Sequence, residues 1–166
     1  HVMSPIVSFD SNTAAGQVLR DWWESLRDDK ASRAQLRRAP DLTRVVLTPG
    51  FQRLVRRLRT RGFPAQLSRD QQDRLAVIAG VLAHLASADG RRLPDAMHGD
   101  DKPKVSELRF RRLLESPTLD DLFSGLRRTL PLIGAAADPA KLANDIWFWG
   151  DAVRKQWAYE YPWPGN

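Results

Sequence analysis

The sequence contains no cysteine. Disulfides and thiolate-bound metals are therefore excluded, and a reducing compartment is expected. Histidine is nearly as scarce, with three in 166 residues. One of them, His1, belongs to a start (His1-Val2-Met3) that reads as a tag remnant ahead of Met3. No stretch approaches the ~18 consecutive apolar residues that a membrane span requires. No basic start followed by an apolar run marks a signal peptide, so the cytoplasm is the expected location. The glycines are scattered, and none forms a Gly-rich turn ending in Lys-Ser/Thr, which removes the phosphate-loop chemistry of nucleotide hydrolases. Lysine is also scarce, since only five of the 26 Lys and Arg residues are lysine.

Aromatic and apolar residues are plentiful. Hydrophobic residues make up 42% of the chain and include six Trp and six Phe, so a substantial core can form. With 28% charged residues and no low-complexity tract, the composition is that of a folded protein. The net charge is +6 and the sequence pI about 10.3. This charge is carried mainly by arginine, whose planar donor fork matches phosphate oxygens, so nucleic acid is one reading of the composition; the Arg codons of a GC-rich genome are the other.

Periodicity predicts an all-α fold of about six to eight helices in two lobes. Val18, Leu19, Trp22, Trp23 and Leu26 share one helical face. A short helix from Ser32 to Ala39 ends at Pro40. Thr48-Pro49 opens another, with Phe51, Leu54, Val55 and Leu58 on its buried stripe and Arg53, Arg56, Arg57, Arg59 and Arg61 around it. Ser68-Arg69-Asp70-Gln71 is a capping box, followed by Leu75, Ile78, Ala79, Leu82 and Leu85. Gly80 inside that helix suggests a close neighbour. Ser106 and Thr118 open two further helices, and Asp138-Pro139 opens a long last one carrying Leu142, Ile146, Trp149, Val153 and Trp157 on one face. Val45-Val46-Leu47 is too short and isolated to build a sheet. The expected organisation is a tag remnant and disordered N-terminus (1–10), an N-terminal helical lobe (11–87), a variable loop punctuated by Gly and Pro (88–105) and a C-terminal helical lobe (106–166).

Catalytic chemistry is hard to find. His84 lies beside an apolar helix face and reads as structural. His98-Gly99-Asp100-Asp101 is the best metal-like cluster, but no partner ligand stands at helical spacing, so no metal site and no cofactor are expected. Asp120-Asp121 falls in a first helical turn, where capping explains it. The tryptophans lie on or beside apolar stripes and read as core rather than as base-stacking platforms. The pairs Arg37-Arg38 and Arg127-Arg128, each at a helix end, can either grip phosphates or compensate the helix dipole.

Several stretches, taken in order, resemble the CasB family, the small subunit of the type I-E CRISPR surveillance complex called Cascade. They are Trp22-Trp23 with Leu26, Ala34-Gln35-Leu36-Arg37-Arg38, Phe51-Gln52-Arg53-Leu54-Val55, Arg69-Asp70-Gln71-Gln72, Ser106 to Leu114, Leu126-Arg127-Arg128, and Trp147-Phe148-Trp149-Gly150 before Arg154-Lys155. The resemblance implies a two-lobed helical, non-catalytic subunit that lies beside a second copy of itself and the CasC backbone. It also implies contact with the guide crRNA, the target strand and the displaced DNA strand through a basic surface. Carried over by position, the nucleic-acid-binding residues are Arg37, Arg38, Arg69, Arg127, Arg128 and Arg154. Lys102 and Lys104 join them on charge alone. Asp151 stands where a basic residue is expected. A single basic path through Arg38, Arg69 and Arg128 is the mechanistic expectation, and in RNA-guided systems such a surface grips backbone while pairing reads sequence. The other readings are a helical DNA-binding regulator, a metal-dependent nuclease using His98, Asp100 and Asp101, and a scaffold whose arginines meet acidic proteins.

Overall fold

A computed structural model of the chain describes residues 7–165. Nine α-helices follow one another among the described residues: α1 (Ala14–Ser25), α2 (Lys30–Arg38), α3 (Leu42–Val46), α4 (Pro49–Thr60), α5 (Arg69–Leu82), α6 (Glu107–Leu114), α7 (Leu119–Thr129), α8 (Pro139–Trp147) and α9 (Asp151–Glu160). Short 3-10 turns lie at Asp95–Met97 and Leu130–Ile133. No strand forms among the described residues; an isolated parallel bridge joins Ser87 to Ala136. The all-α expectation therefore holds.

The helix starts follow from side chains that satisfy free backbone N–H groups. Thr13, Asp29, Asp41, Thr48, Ser106, Thr118 and Asp138 each accept a bond from the third residue onward. Ser68 and Gln71 form the reciprocal capping box expected from the sequence.

Helix α5 is the axle of the fold. Every residue from Leu75 to Leu82 is buried, and α2, α3, α7 and α8 all pack against it. A helix that is apolar all round has to be enclosed on all sides. Its neighbour α7 runs parallel to it. Asp120 at the start of α7 lies near Asp73 early in α5, and Arg127 at the end of α7 lies near His84 just past α5. Gly80 permits this closeness, because a Cβ there would stand 2.6 Å from Cε1 of Phe123. The aromatic core lies around this axle, with Trp22 and Trp157 fully buried and Trp23 and Trp149 nearly so.

Val45-Val46 builds no sheet and belongs to helix α3, started by Asp41. Two features depart from the sequence reading. The expected long last helix is two, broken at Phe148–Gly150. The break is held by Arg74 of α5, whose Nη1 donates to the carbonyls of Ile146, Trp147 and Trp149 at 3.3, 3.1 and 2.8 Å. Phe9, within the segment expected to be disordered, is fully buried between Phe63 and Trp147, and its N–H donates to Oδ1 of Asn144. The tag remnant lies outside the described residues. The 88–105 segment, a loop with one 3-10 turn, is held against the core. Leu93, Ala96, Met97 and Val105 are buried, and Arg92 joins Asp145 and Glu160 at 3.0 and 2.9 Å. The segments 11–87 and 106–166 thus share one core through α5.

Candidate nucleic-acid interface

Three helix C-termini, those of α2, α5 and α7, converge at one end of the molecule. Each presents unpaired carbonyls and the negative end of its dipole, so cations gather there for structural reasons. Arg33 donates from Nε to the Ala83 carbonyl at the end of α5 (3.3 Å). Arg127 spends its fork on the end of α2, donating from Nη1 to the Ala39 carbonyl (2.8 Å) and from Nη2 to the Arg37 carbonyl (3.2 Å). Its guanidinium also stacks 4.9 Å above the Phe123 ring. Half-burial lowers its pKa. Arg127 is thus a strut between α7 and α2.

His84 lies among these groups. Burial first, then the positive fields of Arg127, Arg37 and Arg33, lower its pKa to about 4, so the imidazole is neutral. Its Nε2 is buried without a hydrogen-bond partner.

The remaining guanidinium groups at this end are uncommitted. Arg37, Arg38 and Arg128 are exposed, and none has a side-chain partner among the described residues. Arg38 and Arg44 line a shallow depression of about 400 Å³ beside Leu47. A groove of about 620 Å³ opens between α6 and α7, with Arg109, Arg112 and Arg128 on its walls. A smaller hollow lined by Lys102, Lys104 and Arg109 continues it. Arg128, Lys102 and Lys104 thus lie along the groove and hollow, and Arg37 and Arg38 at the α2 end that Arg127 ties to α7; this basic margin also holds Arg44, Arg109 and Arg112, which the sequence reading missed. Their signal was present in the i, i+3 spacing of Arg109 and Arg112 on one helix face. Arg111 turns away, reaching Glu107 and stacking on Trp163.

Two expected residues stand apart. Arg69 begins α5, a helix about 20 Å long at 1.5 Å per residue, so it lies at the opposite end from Arg38 and Arg128. Carboxylates surround it there. Asp73, whose pKa is raised by burial and then by Asp120 and Asp70, feels Arg69 as its compensating charge. Arg154 stacks on Trp149 near that same end and is paired with Asp151 at 3.1 Å. The single path through Arg38, Arg69 and Arg128 is therefore not formed within one copy.

Among the described residues no three His, Cys, Asp or Glu side chains come together in a way that could hold a metal ion. His98, Asp100 and Asp101 are all exposed on their turn. No helix is long and apolar enough to cross a membrane.

The fold and this margin define an all-helical protein with an arginine-rich end and no assembled metal cluster among its described residues. The chain belongs to the family described as CRISPR-associated protein Cse2, which matches residues 32–161 and is the CasB small-subunit family that the sequence resembles. Among solved structures, a chain of the E. coli Cascade crystal structure, bound to a PAM-containing double-stranded DNA target, is similar at 21% identity with a TM-score of 0.66. That match covers 90% of this chain and 95% of the other. No curated protein matches significantly.

Proposed function

We propose that this chain is the non-catalytic small subunit of a type I-E Cascade complex. In this reading it works in the cytoplasm beside a second copy of itself and the CasC backbone, in contact with crRNA and both DNA strands. The observation that carries it is the margin of uncommitted arginines, Arg37, Arg38 and Arg128, where three helix ends converge. The carbonyls there are already served by Arg33 and Arg127, so the exposed guanidinium groups exceed what capping requires. Such groups bind phosphate oxygens and release counterions, a sequence-independent affinity. A displaced strand held by its phosphates re-anneals more slowly, which stabilises the open R-loop without altering which sequence is chosen. Arg69 and Arg154, at the other end, lie outside this margin and meet a second copy.

The test is co-purification with the other Cascade proteins and a guide RNA. Stoichiometric recovery supports the assignment. Assembly of the other subunits without this chain refutes it.

A further inference from the structure

The groove between α6 and α7 is more than a row of charges. Leu108 and Leu132, 57% and 40% exposed, line it. Leu113 and Pro117 also line it, and Arg109, Arg112 and Arg128 form its rim, with Asp121 as its one carboxylate. No aromatic side chain lines it, so it lacks the platforms on which unpaired bases stack. Phosphates laid across the rim would neutralise the arginines but leave both leucines in water. Exposed leucines set among arginines suit instead a protein partner, which covers apolar surface and meets charge in one contact.

We infer that this groove docks an amphipathic helix of a partner protein, with leucine-like side chains on one face and carboxylates flanking them. Two antiparallel or crossed helices leave a channel that receives the ridge of a third. Charge complementarity selects the occupant. With three arginines on the rim and Lys104 just beyond, an acidic helix is drawn in and a basic one is repelled. The leucines then supply what charge alone does not, the exclusion of water that makes the ion pairs stronger. Arg128 belongs both to this groove and to the arginines proposed to grip backbone, so an occupied groove and a bound strand compete for it. The inference stands on the groove alone and does not need the Cascade assignment.

The experiment uses the full chain and three labelled peptides of about 18 residues, long enough to hold a helix in water. The first carries Leu at i, i+3, i+4 and i+7, Glu flanking them and Ala elsewhere to hold the helix. The second has Ser for every Leu, and the third Lys for every Glu. Fluorescence anisotropy is read for each against the wild type, Leu108→Ser/Leu132→Ser and Arg112→Glu. The inference expects binding of the Leu/Glu peptide only, weakened at least about tenfold by either variant. Affinity of the Leu/Ser variant for oligo-dT should be unchanged. Both leucines are exposed, and an unchanged thermal midpoint confirms that the variant folds. Equal binding of the Ser/Glu peptide, or no binding of the Leu/Glu peptide, overturns the inference. So does a parallel loss of oligo-dT affinity in the Leu/Ser variant, which would make the groove part of the nucleic-acid surface.

Discussion

Arg127 and Arg128 are adjacent and identical in type, yet the structure gives them opposite work. Replacing Arg127 by Ala removes two charge-assisted bonds to the carbonyls of Ala39 and Arg37 and a stacking contact with Phe123. A hydrogen bond from a charged donor contributes about 1.5–3 kcal/mol, and an exposed cation–π contact about 0.5–1 kcal/mol. Solvent reaches this guanidinium, and water takes over part of the lost bonding, so a net loss of about 2 kcal/mol is expected. In a chain of this size that lowers the thermal midpoint by about 4–8 °C. Arg128→Ala removes no internal bond and should stay within about 0.5 kcal/mol of wild type. The buried tryptophans report unfolding by fluorescence in a urea titration. Nucleic-acid binding should divide the other way. Arg128→Ala lowers the salt slope of oligo-dT affinity by about 0.7, the share of one phosphate contact on a single strand. Arg127→Ala leaves the slope of the folded fraction unchanged. Lys at 127 recovers little stability, because an ammonium cannot span both carbonyls as a fork does. An Arg127→Ala protein as stable as wild type, with the binding defect of Arg128→Ala, would refute the division of roles.

Three further outcomes follow from the packing. His84 takes up its proton near pH 6.5 when unfolded but only near about 4 when folded. The unfolded state therefore binds more protons between those values, and stability should fall as pH drops through that window. Urea unfolding at pH 7 and pH 5 measures the effect, which His84→Leu should flatten. Arg74→Met removes its donor from three carbonyls, of which only Ile146 keeps a backbone donor, and should cost about 2–3 kcal/mol, read as a lower thermal midpoint with secondary structure retained. Gly80→Ala gains about 1 kcal/mol of helix propensity but drives a methyl into Phe123. It should destabilise on balance by about 1 kcal/mol, since overpacking a rigid ring costs about 1–3 kcal/mol.

The sequence made the helices legible because their starts are written in short polar signals. Ser68 with Gln71, Thr48 with Pro49, and Asp138 with Pro139 all act as read. The break at Phe148–Gly150 was not legible. The apolar spacing continues across it, and what holds the corner is Arg74, more than seventy residues away in the chain. Phe9 escaped for a similar reason, since its partners Phe63 and Trp147 are distant in sequence. The candidate site was half legible. Arginine pairs at helix ends were visible, but the carbonyls that consume Arg127 and leave Arg128 free appear only when α2 and α7 meet. Arg69 looked equivalent to Arg38 in a linear reading. Their separation depends on which end of α5 each occupies, and Asp73 and Asp120 gather around the former only in the fold.

The central claim is that Arg37, Arg38 and Arg128 act together on nucleic-acid backbone. The most direct measurement is the salt dependence of oligonucleotide affinity for the wild type, for Arg37→Ala/Arg38→Ala/Arg128→Ala, and for Arg69→Ala/Arg154→Ala, on single strands of two unrelated sequences. The expected result is a slope shallower by about 2 in the triple variant, three contacts at about 0.7 each, with equal weakening on both sequences and no change in the double variant. An unchanged slope in the triple variant, or a loss confined to one sequence, would contradict it.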